Sequence, residues 1–230
     1  MMTTKAESLQ RLLTLVQDIE TADTDDFFEL AHIAGLDPLR DFAESNLKGV
    51  DLRSKKLAGA DLIEANLKHA HLINTDLTDA SLISATLMEA TLTNATLTGA
   101  TLVNADLTAA TLMHAMVDNA NLTGAILMNA DLSYADLRRS NLAGTNLSGT
   151  TMNSTNLNYS DLRRASLVNA DLSGASLYGA NLSSADLRGA VLADVDLVGA
   201  KLEHTRFNSD RWFSKEQCRD LAQRGAIFEV

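Results

Sequence analysis

The 230 residues carry a formal net charge of -11 and are 46% hydrophobic but only 4% aromatic, with one proline and one cysteine. So few aromatics argue against an ordinary globular core of this size, and one cysteine excludes a disulfide framework and makes a reducing compartment the default. The acidic balance argues against binding to a phosphate backbone as the main activity. With no apolar run long enough to span a bilayer and no apolar core in MMTTKAESLQ, a cytoplasmic protein with no membrane and no nucleic-acid partner is expected.

Residues 1–39 are the predicted N-terminal helical segment. Thr4-Lys5-Ala6-Glu7 has capping-box form, and Leu9, Leu12, Leu13, Val16 and Ile19 follow at helical spacing, which predicts a first helix over about 5–20. An acidic link leads to a second predicted helix with a stripe of Phe27, Leu30, Ala31 and Ala34; Gly35 is its stop, and Pro38 lies beyond. The segment has two basic and eight acidic residues, so more than half of the charge excess sits in the first sixth of the chain.

From residue 40 to 209 the chain keeps a period of five. Residues 86–115 read TLMEA TLTNA TLTGA TLVNA DLTAA TLMHA, with leucine at every fifth position and alanine two before it. The ruler runs through 34 pentads without insertion or deletion, and 30 central residues are Leu; the others are Phe42, Val117, Met152 and Phe207. A fixed short period means a solenoid. Along a straight strand a step of five throws successive leucines to opposite faces, so each pentad needs a corner to bring them all inside. Ten of the twelve glycines and six asparagines lie two after the central residue, and both residue types tolerate positive φ; that position is the corner.

Units such as ADLIEANLKHA and ADLSGASLYGANLSSADLRGA carry a resemblance. Over about three quarters of its length the chain resembles the pentapeptide-repeat proteins, cyanobacterial-type members of unassigned function among them. The resemblance implies an all-β solenoid: a right-handed quadrilateral parallel β-helix with four pentads per coil, here about eight coils, between N-terminal α-helices and a C-terminal helical cap over 210–230.

A solenoid end must be covered to prevent stacking, and the second helix is placed to cap the first coil. That coil is the least regular: its inward positions are Arg40, Ser45, Val50 and Lys55. Either residues 40–59 are distorted, or Lys55 leaves through the open end. From 60 to 135 the interior reads as nearly pure Leu and Ala. Five inward hydroxyls follow, Ser140, Thr145, Thr150, Thr155 and Ser160, which need backbone partners or trapped water. After Phe207 the period stops; Ser214 to Gln217 has capping-box form, a helix over 214–225 ends at Gly225, and Trp212, Phe213, Ile227 and Phe228 are the expected lid on the last coil.

No nucleophile–base–acid set appears, and the expectation is no catalytic residue, no metal site and no cofactor. Eleven Asp one before the central residue read as outward repeat grammar, His69 and His71 lack a third ligand in register, and Cys218 reads as a packed helix residue. Two surface features stand out. Folding the ruler at 20 residues stacks Ile63, Ile83 and Val103 as an outward apolar ladder that asks for a cover. Between Lys68 and Arg138 there is no Lys or Arg, whereas Arg138, Arg139, Arg163, Arg164 and Arg188 form a basic patch beyond. The candidate interaction surface is Ile63, Ile83, Val103, Leu12, Val16, Trp212 and Phe213. Leu12 and Val16 stand for the first helix, which either packs with the second helix over the first coil, the preferred arrangement, or covers the ladder in its own or a second chain.

These features favour a non-enzymatic rigid scaffold that binds an unidentified protein partner, as a monomer or as a homodimer through a cap end or the ladder. The alternative, implied by the resemblance, is a DNA-mimicking inhibitor or protector of gyrase. Scattered Asp, interrupting Arg pairs and the absence of projecting loops weigh against it.

Overall fold

The computed structural model describes residues 10, 13–15, 17–19, 21–24, 26–208 and 211–229. Its named elements are α1 (Phe27–Ile33), β1 (Arg206–Phe207), α2 (Lys215–Gln223) and β2 (Ile227–Phe228). After turns over 34–45, the chain up to β1 is a stack of very short parallel bridges, each joining residue i to residue i+20, from Asn46↔Asn66 to Asp186↔Arg206. Twenty residues are four pentads, so each coil turns four corners. Eight bridge steps separate Asn46 from Arg206, which at about 4.8 Å per step makes a rod of about 38 Å.

The corner falls two after the central residue, at φ between +54° and +76° throughout the coil. Glycine and asparagine do not have it to themselves: Glu44, Tyr134, Arg139, Tyr159 and Arg164 adopt the same left-handed conformation. Such a conformation costs a residue with a Cβ about 1–2 kcal/mol, and the hydrogen-bond ladder holds it in place. At Tyr134 the corner N–H donates to Asn153 O in the coil above (2.9 Å), and the next N–H, of Ala135, closes the turn on Leu132 O (3.0 Å). The same two bonds recur in nearly every pentad.

The interior is a column of Leu stacked on Leu and Ala on Ala, almost all at 0–1% exposure. All five inward hydroxyls of 140–160 have backbone partners. Ser140, Thr145, Thr150 and Ser160 donate to the carbonyl three residues back at 2.6–2.7 Å, and Thr155 reaches Leu132 O in the coil below at 2.8 Å. The upstream interior holds one hydroxyl that a pure Leu/Ala reading passes over. Thr75 is fully buried and donates to Leu52 O at 2.7 Å, as Thr205 does to Leu182 O at 2.8 Å.

At the N-terminal end α1 lies on the first coil. Asp26 is its N-cap, accepting from Phe28 N (2.9 Å) and Glu29 N (3.2 Å), and Gly35 at φ +74° ends it. Phe27 packs on Phe42, the central residue of the first pentad, at 5.3 Å between ring centroids. The first coil is regular, with Leu47 N donating to Asn66 O (2.8 Å) and Leu52 N to His71 O (2.8 Å). Its inward lysine escapes instead: the Lys55 ammonium pairs with Asp26 and sits 5.4 Å from the Phe28 ring centroid. One carboxylate thus caps the helix and neutralises the lysine beneath it.

At the other end Ser214 and Gln217 form a reciprocal capping box for α2, and Leu221 is buried on the last coil. The chain then turns back at Gly225 and adds β2 in parallel to β1, pairing Arg206 with Ile227 and Phe207 with Phe228. Phe228 stacks on Phe207 at 5.3 Å, and Phe213 meets Phe207 edge-on at 6.1 Å. Ile227 is not part of the lid: it is 42% exposed, because strand alternation turns it outward when Phe228 faces in.

Candidate interaction surfaces

Each pentad presents outward the residues before, one after and two after the central one. The first of these has a local job. Asp Oδ1 accepts the N–H two residues on, as Asp76 does from Thr78 (3.0 Å) and Asp131 from Ser133 (3.0 Å), and Asn takes the same role at Asn121 and Asn141. This local turn satisfies a backbone donor between corners and explains why Asp and Asn recur there.

Where Arg stands two after the Asp, a bidentate pair forms within the pentad: Arg138 with Asp136, Arg163 with Asp161, Arg188 with Asp186 and Arg53 with Asp51. The Arg163 guanidinium beside Asp161 holds that carboxyl below the usual carboxylate range, and Arg188 does the same to Asp186. At Asp136 burial pushes upward, and Arg138 with the backbone N–H outweighs it. The distal arginines are therefore a weaker positive patch than their number suggests. Arg188 and Arg206 share Glu229 as well, whereas Arg139 and Arg164 stand exposed at corners with no ion-pair partner among the described residues.

Ile63, Ile83 and Val103 stack one coil apart, held by the bridges Asp61↔Ser81 and Ser81↔Thr101, and each is half-buried. Ala43 lies below them and Thr123 above, so the run of large, β-branched apolar rungs is three long. Leu12 and Val16 fall outside the described residues. Neighbouring helical residues Leu13 and Ile19 are exposed, at 56% and 38%. Trp212 and Phe213 are half-buried against the core; Arg211 lies over the indole at 4.5 Å, and Trp212 Nε1 is a buried donor with no acceptor among the described residues.

His69 Nδ1 faces Glu89 at 3.5 Å and His71 Nδ1 faces Thr91 Oγ1 at 3.5 Å, so the ladder draws the two rings to different partners. Among the described residues no group of three His, Cys, Asp or Glu side chains could hold a metal ion, and no helix is long and apolar enough to cross a membrane.

Sequence reasoning missed the exposed aromatics. Tyr134 stacks on His114 one coil below at 5.0 Å, and Tyr159 meets Tyr178 edge-on at 5.5 Å while staying 57% exposed. The ring of Tyr159 lies over the corner of Gly179, where a Cβ would sit 2.8 Å from it. The signal was the 20-residue fold of the ruler, which puts Tyr159 under Gly179.

The family model described as pentapeptide repeats matches eight copies over residues 56–94, 90–129, 130–169 and 170–208. Among solved structures, the pentapeptide repeat protein Rfr23 from the cyanobacterium Cyanothece 51142 is 38% identical over 39% of this chain, with a TM-score of 0.39; the chain spans 62% of its length. HetL of Nostoc sp. strain PCC 7120, a pentapeptide repeat protein involved in heterocyst differentiation regulation, is 32% identical over 79% of this chain and 94% of its own, with a TM-score of 0.32. QnrB1, a plasmid-mediated fluoroquinolone resistance protein, is 17% identical over 81% of this chain and 92% of its own, with a TM-score of 0.51, a likeness of fold alone. A comparison with curated proteins gives no match. Five-residue units in unbroken register, stacked four to a coil with the corner two after the leucine, agree with the family match over 56–208: the chain belongs to the pentapeptide-repeat family, whose members form right-handed quadrilateral β-helices.

Proposed function

We propose that this protein is a non-enzymatic scaffold: a rigid rod of about eight coils, closed by helices at both ends, that binds a protein partner through its faces and ends. The carrying observation is the unbroken 20-residue register, which stands outward side chains in fixed vertical files such as Ile63–Ile83–Val103. A surface ordered in advance loses little conformational entropy on binding, which favours recognition by a repeat protein's broad faces. The ladder and the lid residues Trp212 and Phe213 are the proposed contacts, with the N-terminal segment as a further arm.

The experiment is capture from the native cell using the full chain and the variant Ile63→Lys/Ile83→Lys/Val103→Lys. A partner held by the parent and lost by a folded triple variant supports the ladder as the contact. Equal capture by both moves the contact elsewhere on the rod.

A second reading, a DNA-mimicking inhibitor or protector of gyrase, draws on the acidic stretch between Lys68 and Arg138, which has no Lys or Arg. Neutralisation of Asp136, Asp161 and Asp186 by their own arginines weakens it. The expected result in a supercoiling assay at micromolar protein is no effect; a clear inhibition curve weakened by charge reversal at Asp106 and Asp118 would promote this reading.

A further inference from the structure

Every coil hands the next the same row of backbone groups. On the side that contains Leu177, Leu177 N donates to Asp196 O (2.8 Å), Gly179 N donates to Val198 O (2.9 Å), and Ala175 O accepts from Asp196 N (3.0 Å). One coil higher the equivalent groups are Leu197 N, Gly199 N and Val195 O, and none of the three has a partner among the described residues. Leu192 N, Asp194 N and Leu202 N of this coil also lack a partner among the described residues, and the rest of the rim is covered in part. β2 pairs with β1, His204 N donates to Gly225 O (2.9 Å), and the Arg224 guanidinium donates to Leu197 O (2.6 Å) and Ala200 O (2.7 Å).

The open row borders a cavity of about 170 Å³ between the last coil and α2, with Val195, Leu197, Val198, Phe213 and Leu221 as its apolar lining and Asp196, Gln217, Asp220 and Arg224 as its polar lining; Val198 is 63% exposed. We propose that this edge is a docking site for an extended segment of a partner protein, which adds as one more parallel strand and places an aliphatic side chain in the cavity. The backbone row specifies the occupant. A residue seated over Asp196 donates its N–H to Val195 O and accepts Leu197 N–H on its carbonyl, and the carbonyl two residues on accepts Gly199 N–H. Alternation then turns the intervening residue inward over Leu197, beside Phe213 and Leu221. Main-chain bonds supply the attachment, and the single inward pocket supplies the selectivity.

A second rod meeting this one end-on fits the edge poorly. β2 already stands one strand step above β1, and α2 lies over the coil, so they hold another coil away from the strand-to-strand distance that a single peptide can reach. The inference rests on the scaffold reading and assigns one of its contact sites; capture through the apolar ladder can succeed or fail independently of it.

The test uses the full chain and the acetylated, amidated peptide Ala-Asn-Leu-Ser-Ser-Ala, which is the sequence of residues 180–185. In the free protein the Leu197 and Gly199 amides should exchange with solvent much faster than those of Leu177 and Gly179. With millimolar peptide their resonances should shift and their exchange slow by about tenfold or more. A peptide N-methylated at its asparagine, or carrying aspartate in place of leucine, should do neither, and Val198→Trp, which fills the cavity mouth from an exposed lining position, should abolish the response without lowering the melting temperature. Protected Leu197 and Gly199 amides in the free protein, no response to the parent peptide, or equal responses to the control peptides would each overturn the proposal. So would a doubled mass by light scattering with the edge amides buried, which would assign the edge to a second copy of this chain.

Discussion

Leu102 stands at mid-rod, fully buried, one strand step from Leu82 below and Leu122 above through the bridges Ser81↔Thr101 and Thr101↔Asn121. Cutting it to alanine removes its transfer energy and leaves a cavity that ladders on all four sides keep from collapsing, a cost of about 3 kcal/mol. At 2–4 °C per kcal/mol for a chain of this size, Leu102→Ala should lower the melting temperature by about 6–12 °C. Leu102→Asp adds several kcal/mol for an unpaired carboxylate in a dry column and should exceed that fall. The outward Asp106→Ala loses only the turn bonds from Thr108 N (2.9 Å) and Thr108 Oγ1 (2.6 Å), about 1 kcal/mol. Circular dichroism melts of the three variants and the parent provide the comparison. A Leu102→Asp melt within a degree or two of the parent, or an Asp106→Ala loss equal to it, would refute a stability that resides in the leucine column.

Lys55→Met should keep the first coil folded, because the methionine can lie along Phe28 while Asp26 keeps its capping bonds. Asp26→Ala, which strips the cap and leaves the lysine unpaired at the coil mouth, should instead speed amide exchange across α1 and the first coil at least about tenfold. Thr145→Val should cost less than about 1 kcal/mol by thermal melt, since Leu142 O still accepts Thr145 N (3.1 Å) after the hydroxyl is lost. The pH dependence follows from Asp161 and Asp186, whose folded pKa values are lowered by Arg163 and Arg188. A depressed carboxyl contributes stability that is present above its unfolded pKa of about 4 and is lost as pH falls through the folded value. Melting temperature should therefore drop from pH 5 toward pH 2, and less steeply in Arg163→Gln/Arg188→Gln; parallel curves would show that these pairs contribute nothing.

Where residues act on neighbours within a pentad, the sequence is an almost complete guide. The inward leucine, the alanine two before it, the corner two after it and the Asp turn all close within a few residues, so a one-dimensional ruler contains them. The ladder Ile63–Ile83–Val103 could be written down once 20 residues made a coil. The Ser214–Gln217 capping box and the stops at Gly35 and Gly225 were equally local; the box at Thr4–Glu7 lies outside the described residues. Tyr134 and Arg139 at corners were not legible from residue preference, because the cost of their left-handed backbone is overcome by bonds to the next coil. Tertiary structure alone decided that Asp26, twenty-nine residues before Lys55, neutralises it. It also turned Ile227–Phe228 into a strand on Arg206–Phe207, with Ile227 outward, and made Arg224 a substitute for a missing coil at Ala200 O, the group whose equivalent one coil below, Ala180 O, accepts Lys201 N. These contacts occur at the rod's ends, where the repeat stops and no periodic rule says which distant group will satisfy the groups that the last coil leaves exposed.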